Sequence, residues 1–312
     1  MNDSVDAIIL AGDRAASNNF AGKNKLLLEV NGIPLLMHVL SALDDVQRVD
    51  RIFIVGPEQE IEGLLANNSV LLDCHTPVHI LEQRNTAYEN FWSAFVDSID
   101  SYKPGIEKED AAVADKVVMV VPSDIPFVCA AEINEFLDGC NMQRFDYCIG
   151  ATAETQMQRF LPTADKPGIE MSYLHLDCAS LRLNNLHLIR PFSVMHRNYI
   201  ETAYELRYQK KFFNVALVIW EMFRIPGFGG KAIATYSYYQ LSMIFRALGW
   251  AQPLRWTRSK VTRAKVIHLA CMLLGARVSI VETTIGGCVI DIDNAADYET
   301  IQQRFLEFCK TQ

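Results

Sequence analysis

Short apolar runs alternate with segments of helical periodicity through the first half of the chain. Runs rich in β-branched residues and bounded by turn signals predict buried strands. Such runs occupy residues 5–10, 51–55, 78–81, 116–121 and 146–151. The helical segments between them lie at residues 35–43, 59–66, 86–99 and 131–137. This alternation predicts an α/β fold with a doubly wound, mostly parallel, Rossmann-like sheet, in which ligands bind beyond the carboxyl ends of the strands.

Longer helical stretches replace this alternation after Pro191. They occupy residues 199–223, 233–249 and 259–274, and strand-like runs return at residues 278–282 and 288–292. Asp293 and Asn294 then provide cap side chains for a final helix, and Asp297 is spaced to complete the cap. We therefore predict a single domain over residues 1–312 that contains a helical insertion at 197–275.

The composition is that of a folded protein with a substantial core. Hydrophobic residues make up 50% of the 312 positions and charged residues 21%, which excludes a disordered chain. No apolar stretch approaches the roughly 18 residues that a membrane-spanning helix needs, and the first residues lack the pattern of a secretory signal. The eight cysteines form no C-x-x-C pair, which favours buried thiols in a reducing compartment. A cytoplasmic protein is expected.

Charge is distributed unevenly along the chain. The net charge is −8, yet residues 197–265 contain twelve Lys or Arg against three Glu. A basic segment on an acidic body indicates an anionic ligand or surface. Because this segment includes the apolar run 212–225, it suits three roles. These are an interfacial helix in peripheral contact with the inner membrane surface, a lid over a polyanionic substrate, and a helix packed in the core. No nucleic-acid partner is expected.

The loop after the first predicted strand has the composition of a phosphate site. Residues 11–25 are small, polar and basic, and small residues let backbone amides approach phosphate oxygens closely. Arg14 and Lys25 would supply positive charge to a polyphosphate. The loop contains neither a Walker sequence nor the three glycines of a dinucleotide fingerprint. An ordinary surface loop with two basic residues is the alternative interpretation.

Carboxylates follow two of the predicted strands. Asp124 comes shortly after the apolar strand 116–121, and alternation along the second run would place Asp291 and Asp293 on one side. Carboxylates at strand ends are suited to binding a divalent cation, and they are equally suited to capping a turn or a helix. A basic loop and two acidic strand ends together predict Mg²⁺-assisted chemistry on a nucleotide phosphate.

Several segments of the sequence resemble the MobA-like NTP transferase family. They are AIILAGDR with the later KLLLEVNGIPLL, then VVMVVPSDIPFV, and finally VIDIDNAADYETI. The resemblance covers about the first 150 residues and the last 30. It implies a GT-A-like fold and an enzyme that joins a nucleoside monophosphate to an acceptor with release of pyrophosphate.

The resemblance also assigns roles to residues. It implies that Leu10, Ala11 and Gly12 form the nucleotide loop. Arg14 and Lys25 would be catalytic ligands of the triphosphate, and Asp124 and Asp291 would be ligands of Mg²⁺. Asp293 is an alternative to Asp291 as the second metal ligand. Asp13 departs from the pattern, because the family usually has a second glycine there and a carboxylate repels a triphosphate.

The acceptor site is predicted in the middle of the chain. Lys166, Arg182 and Asn184 lie between predicted strands, and Arg182 with Asn184 would bind a phosphorylated or hydroxyl-rich acceptor. The alternative for these residues, as for His175 nearby, is hydrogen bonding within loops and strand edges.

Three functional interpretations follow. The first is a Mg²⁺-dependent nucleotidyltransferase that uses a nucleoside triphosphate and an anionic acceptor, either a phosphorylated small molecule or a lipid-linked one. The second is a GT-A-type glycosyltransferase that holds a metal-bound sugar nucleotide through Asp291 and Asp293. The third is a catalytically degenerate nucleotide-binding regulator, which Asp13 favours.

Overall fold

The computed structural model describes residues 4–12, 25–68, 74–197 and 228–309. Its centre is an eight-stranded sheet in the order β10-β7-β9-β6-β1-β4-β5, with β8 paired to β9. A separate two-stranded hairpin is formed by β2 and β3. The strands are β1 Val5–Leu10, β2 Glu29–Val30, β3 Ile33–Pro34, β4 Val49–Gly56, β5 Val78–Glu82, β6 Val118–Pro122, β7 Tyr147–Ala153, β8 Leu174–His175, β9 Ser180–Ile189 and β10 Val278–Thr283.

Nine α-helices are found in the described part of the chain. They are α1 Leu35–Asp44, α2 Glu58–Asn67, α3 Ala87–Asp97, α4 Ala111–Ala114, α5 Ala130–Gly139, α6 Gly229–Ala247, α7 Ala251–Arg258, α8 Arg263–Leu274 and α9 Ala295–Cys309. No helix of this part is both long enough and apolar enough to cross a membrane.

Both faces of the sheet are covered. Successive residues of a strand point to opposite faces, and in β1 the buried Ala7 and Ile9 pack with side chains of α1, α2 and α5. Ile8 lies between them and packs instead with side chains of α3 and α8. All neighbouring strands of the main sheet are parallel except where β9 is a partner. The predicted doubly wound, mostly parallel sheet is confirmed, and helices are present near the C-terminus as expected.

The β2–β3 hairpin has the turn that its sequence predicts. Asn31 and Gly32 both adopt positive φ, at 54° and 75°, as a two-residue type I′ turn requires. The hairpin is short, because Lys25–Leu27 form a 3₁₀ turn and only Glu29–Val30 pair with β3.

The antiparallel strand β9 was not predicted from the sequence. Its register against β7 shifts between Ile149 and Ala151, so that Asn184 and Asn185 interrupt the alternation of leucines. A Cβ at Gly150 would lie 2.0 Å from Oδ1 of Asn184. Only glycine at this position of β7 leaves room for the Asn184 side chain of β9. The irregular register explains why the simple two-residue period does not reveal this strand.

A single carboxylate joins the two ends of the long excursion between β9 and β10. Nη1 of Arg190, just after β9, donates to Oδ1 of Asp146 at 3.0 Å. Nη2 of Arg277, just before β10, donates to the same oxygen at 2.6 Å. These bonds lower the pKa of Asp146, with the Arg277 hydrogen bond as the largest cause. The chain therefore leaves the sheet after β9 and returns to it before β10 at neighbouring points.

Two predicted elements of the C-terminal part are corrected. The helix expected over 259–274 begins only at Arg263, and the shorter α7 precedes it. The strand expected over 288–292 is absent, because Gly287–Val289 form a 3₁₀ turn and the following residues run outside the sheet. The apolar run 212–225 and the first part of the predicted insertion lie outside the described residues.

Candidate functional site

The candidate site lies at the carboxyl edge of the parallel strands. The backbone ladder continues past the strand ends, with the amide of Ala11 donating to the carbonyl of Val55 at 2.8 Å. On the other side of β1, the amide of Ser123 donates to the carbonyl of Leu10 at 3.2 Å. The loops that follow β1 and β6 therefore emerge side by side, as parallel pairing requires.

The predicted nucleotide loop begins at this edge. Leu10 ends β1, and Ala11 and Gly12 follow it. A Cβ at Gly12 would approach Nδ2 of Asn90 to 2.8 Å and Oε1 of Gln83 to 3.3 Å, so this backbone is crowded by two polar side chains. Arg14, the other predicted basic ligand, lies outside the described residues.

Lys25 and Asp124 meet at the centre of the edge. Nζ of Lys25 donates a hydrogen bond to Oδ2 of Asp124, and the two side chains are only 16% and 17% exposed. Burial by itself lowers the pKa of Lys25, but the charge of Asp124, its hydrogen bond and the charges of Asp293 and Asp291 together raise it above the ordinary value. The ammonium is therefore held in its charged form among three carboxylates.

A small apolar cluster positions the segments that carry these groups. Val30, Phe127 and Ile292 are members of one buried cluster that also includes residues of α9. Ile290 belongs to the same cluster, and the alternation of buried Ile290 and Ile292 leaves the carboxylates of Asp291 and Asp293 off the cluster. The expected alternation is thus present in an extended segment, although that segment is not a strand.

Asp291 and Asp293 differ in their surroundings. Oδ1 of Asp291 lies 3.8 Å from Nη2 of Arg182, and Asp291 is buried. The cap of α9 is provided by Asn294, whose Oδ1 accepts a hydrogen bond from the amide of Asp297 at 2.9 Å. The capping role predicted for this turn is therefore filled by Asn294.

Asp124 and Asp291 do not form a complete cation site by themselves. No three His, Cys, Asp or Glu side chains among the described residues converge closely enough to hold a metal by themselves. Mg²⁺ in phosphate-transfer sites, however, is often bound through one or two carboxylates and the substrate phosphates. Oδ1 of Asp124 is buried and has no hydrogen-bond partner within the described protein. This unpartnered carboxylate oxygen, at a site where the charges of Asp124 and Asp291 both act on Lys25, fits a cation of this kind.

A polar cluster lies at the other end of the edge, where β7 stops and β9 starts. We call it the β8–β9 cluster, and its members are Glu154, Tyr173, His175, Arg182 and Arg246. Nη2 of Arg246 donates to Oε1 of Glu154 at 2.5 Å, and Nη1 lies 2.8 Å from Nε2 of His175. The charges of Glu154, Arg182 and Arg246 all act on the hydroxyl of Tyr173.

The β8–β9 cluster has a net positive charge and an unsatisfied group. Burial, and next the charge of Arg246, lower the pKa of His175, so the imidazole stays neutral near pH 7. Within the cluster this leaves two guanidinium groups and the carboxylate of Glu154, while Arg182 also lies 3.8 Å from Asp291 outside the cluster. The hydroxyl of Tyr173 is buried without a hydrogen-bond partner in the described protein. An unsatisfied buried hydroxyl costs about 1–3 kcal/mol, which a bound polar ligand would recover.

Two of the predicted acceptor residues lie away from this cluster. Nζ of Lys166 pairs with Oε2 of Glu307 at 2.9 Å, in the last turns of α9. That position is roughly 20 Å along the helix from its capped start, at 1.5 Å per residue. Asn184 is buried and directs its side-chain amide to Thr283 at 3.1 Å. Of the three predicted acceptor residues, only Arg182 faces the other site residues.

Glu132 holds the turn that leads to Asp291. This side chain is fully buried in α5. Its carboxylate accepts hydrogen bonds from the hydroxyl of Thr283 at 2.8 Å and from the amides of Gly286 and Cys288 at 3.0 and 2.9 Å. A buried carboxylate with three donors fixes the path of this loop because each donor would otherwise be unsatisfied.

Sequence reasoning missed the polar residues that come from outside the recognised segments. Gln83 and Asn90 flank the nucleotide loop, and Glu154, Tyr173 and Arg246 complete the β8–β9 cluster. A usable signal existed for Gln83, because it comes two residues after the predicted strand 78–81 and therefore lies at the carboxyl edge. Arg246 gave no such signal, since only the packing of α6 brings it to the end of β7.

The sequence comparison decides the family. The pattern of the MobA-like NTP transferase domain matches residues 7–212. The chain belongs to the MobA-like NTP transferase family. The matched region contains Gly12, Lys25, Asp124 and Arg182, whereas Asp291 lies beyond it. A comparison with curated proteins gives no match.

One of three solved structures that align with this chain has a TM-score above 0.5 and shares its fold. A hypothetical transferase from Thermus thermophilus aligns with a TM-score of 0.56 at 19% identity, covering 95% of this chain and 99% of its own. A 4-diphosphocytidyl-2C-methyl-D-erythritol synthase from Anaerococcus prevotii aligns with a TM-score of 0.47 at 11% identity, covering 98% and 100%. A CMP:2-keto-3-deoxy-manno-octonic acid synthetase in complex with CTP aligns with 0.48 at 11% identity, covering 97% and 99%.

Proposed function

We propose that the protein transfers a nucleoside monophosphate from a nucleoside triphosphate to an anionic acceptor and releases pyrophosphate. The observation that carries the proposal is the charged Lys25 ammonium, bonded to Asp124 at the edge of the sheet where the nucleotide loop begins. Family membership supplies the reaction class, and the β8–β9 cluster supplies an adjacent place for the acceptor.

The nucleotide would lie along the loop after β1. Gly12 is exposed and presents its backbone without a side chain, and Gln83 and Asn90 provide polar groups beside it. Lys25 would exchange part of its interaction with Asp124 for the phosphate oxygens. Because the ammonium stays charged, it would stabilise the negative charge that develops on the phosphates as the bond to the leaving group breaks.

Asp124 and Asp291 are the residues that would hold Mg²⁺. The buried, unpartnered Oδ1 of Asp124 supports this assignment, and Asp293 lies close enough to assist because its charge also acts on Lys25. When bound, Mg²⁺ would neutralise phosphate charge and polarise the α-phosphate towards attack.

The acceptor would bind at the β8–β9 cluster. Arg182 reaches Asp291 on one side and contributes to the positive charge around Tyr173 on the other. This position suits a guanidinium that orients an acceptor phosphate or carboxylate by charge-assisted hydrogen bonds. An acceptor oxygen would form the new bond to the α-phosphorus as the bond to the β-phosphate oxygen breaks in line. An already ionised phosphate or carboxylate acceptor needs no base for this step.

The test is nucleotide binding followed by pyrophosphate release. Each nucleoside triphosphate is added with Mg²⁺, and thermal stabilisation is measured for the wild type and for Asp124→Asn. The stabilising nucleotide is then incubated with phosphorylated sugars and polyols, and pyrophosphate is measured. We expect stabilisation by one triphosphate and acceptor-dependent pyrophosphate release that Asp124→Asn abolishes.

Two results would overturn the proposal. If no nucleoside triphosphate stabilises the protein, the proposed nucleotide site is wrong. A triphosphate could also stabilise the protein while no pyrophosphate is released, either with the acceptors above or with cell metabolite extracts. A nucleotide-binding regulator would then be the better interpretation. Asp13, which lies outside the described residues, would then be the first position to replace with glycine.

A further inference from the structure

We propose that helices α6 and α7 dock on the surface of an anionic membrane. The docking surface, here called the α6–α7 face, comprises Ile233, Tyr236, Ile244, Leu248, Trp250 and Trp256. Each of these side chains is strongly exposed. The inference rests on this surface alone and does not depend on the proposed function.

The first observation is that α6 leaves a continuous stripe of apolar side chains exposed, although Tyr238 and Tyr239 on its other side pack against a buried cluster. Of its 19 residues, only Gly229 and Ser242 are buried. Helices of a globular protein normally bury an apolar stripe against the core. On α6, the exposed apolar residues from Ile233 to Leu248 fall within a sector of about 140° at 100° per residue. The stripe is therefore amphipathic, but it faces away from the described protein.

The second observation is the aromatic character of the face. Trp250 and Trp256 are 54% and 53% exposed, and Tyr236 is 61% exposed. Trp and Tyr are enriched where proteins meet the polar headgroups of a bilayer, because their rings are apolar and their edges can hydrogen-bond. On a surface that faces only water, the apolar ring of an exposed indole has no apolar partner.

The third observation is charge. The described residues 228–274 contain seven Lys or Arg and no Asp or Glu. Arg246 and Arg263 are paired with Glu154 and Glu282. Arg255, by contrast, is exposed next to Trp256 in the chain, and Nζ of Lys260 lies 5.9 Å from the centre of the Trp256 ring. Basic side chains beside an interfacial helix are attracted to anionic lipid headgroups.

Charge also decides against a second copy of the chain as the occupant. A two-fold interface would bring the same patch from both copies together. Arg255 and Lys260, which adjoin Trp256, have no Asp or Glu in residues 228–274 to offset them, and they would then face the same cations of the second copy, which is repulsive. An anionic bilayer satisfies the apolar and the basic parts of the face together.

The experiment is vesicle co-sedimentation of the full chain. Vesicles of phosphatidylcholine alone are compared with vesicles that contain one quarter phosphatidylserine, at low and at high salt. Leu248→Ser tests the face, and Leu306→Ser is its matched control, because Leu306 is a leucine of similar exposure on α9 (55% against 62%). Arg255→Glu with Lys260→Glu tests the charges beside Trp256, and Lys108→Glu is the control.

We expect binding to the anionic vesicles only, with loss at high salt because the attraction is screened. Leu248→Ser should weaken the partition roughly fivefold, as expected for losing the burial of about half a leucine side chain. Leu306→Ser and Lys108→Glu should bind as the wild type does.

Absence of binding to anionic vesicles at low salt would overturn the proposal. Equal binding to neutral vesicles, or equal weakening by Leu306→Ser, would also overturn it. Light scattering supplies the remaining outcome. If the protein is a dimer that Leu248→Ser dissociates, and no vesicle binding occurs, the face is a contact between two copies.

Discussion

The backbone amide of Ile292 donates a hydrogen bond of 3.2 Å to the carbonyl oxygen of Asp124. This bond joins the loop after β6 to the segment that precedes α9, so two stretches distant in sequence are held in register by their main chains. The link does not involve the side chain of Asp124. That side chain can therefore be changed without releasing the segment that contains Asp291.

Asp124→Asn should separate catalysis from folding. Asparagine keeps the shape but removes the charge that holds Lys25 and the proposed cation, and we expect turnover to fall by roughly 100-fold or more. Stability without metal should fall by only about 1–3 kcal/mol, the cost of leaving the ammonium less well paired. Pyrophosphate release and urea unfolding measure the two effects. Asp100→Asn is the control, because that carboxylate is 93% exposed; activity retained in Asp124→Asn would contradict the metal assignment.

Lys25→Ala should weaken triphosphate binding far more than nucleoside binding. The ammonium acts on phosphate charge, and loss of charge-assisted contacts should cost roughly 1.5–3 kcal/mol. Calorimetric titration with the triphosphate and with the corresponding nucleoside measures the difference. Lys108→Ala removes an exposed lysine elsewhere and should change neither affinity. An equal loss for both ligands would show that Lys25 does not contact the phosphates.

Glu132→Ala should destabilise the protein strongly. The substitution leaves Thr283, Gly286 and Cys288 without the acceptor that each now uses. We expect the free energy of unfolding to fall by about 3–5 kcal/mol, as for other broken buried polar networks. Glu135→Ala is the matched control on the same helix, since Glu135 makes one exposed bond to the amide of Thr284. A loss in Glu132→Ala no greater than in the control would mean that the network contributes little.

The carboxylate of Asp146 should make stability depend on pH in the acid range. Its pKa in the folded protein lies below the ordinary value of 3.8 because Arg277 and Arg190 bond to it. The stabilisation is therefore complete above that value and is lost as the pH falls through the lowered pKa. We expect Asp146→Asn to cost roughly 1.5–3 kcal/mol at neutral pH and less as the pH falls below 4. Urea unfolding at several pH values tests this; a difference that does not change with pH would exclude the carboxylate charge as its source. Asp138→Asn, at an exposed carboxylate, is the control.

The fold was largely predictable because its strands are short and buried on both faces. The apolar runs at β1, β4 and β6 leave little choice of structure, and the Asn31-Gly32 turn is specified by its residue types. The strand β9 was missed because Asn184 and Asn185 sit opposite a shift in register and interrupt the period. Local pattern carries no information about such a shift, which is set by the neighbouring strand.

The candidate site was predictable only where its residues directly follow strands. Asp124 and Gly12 were placed at the correct edge by this rule, and the contact between Lys25 and Asp124 then followed from the fold. Asn184 has the same polar character as Arg182 in the sequence, but the sheet buries its amide against Thr283. Residue type alone cannot distinguish a ligand-binding side chain from one that satisfies a buried neighbour.

The paired bonds of Arg190 and Arg277 to Asp146 make the excursion between β9 and β10 a ring whose ends already touch. The entropy lost in closing such a ring rises by only about 0.6 kcal/mol for each doubling of its length. Residues can therefore be inserted at the exposed turn between α6 and α7 with little effect on the sheet, whereas α8 has to be kept because its side chains cover one face of the sheet. The proposed docking face and the proposed contribution of Arg246 to the acceptor site can thus vary without any change at Lys25 and Asp124.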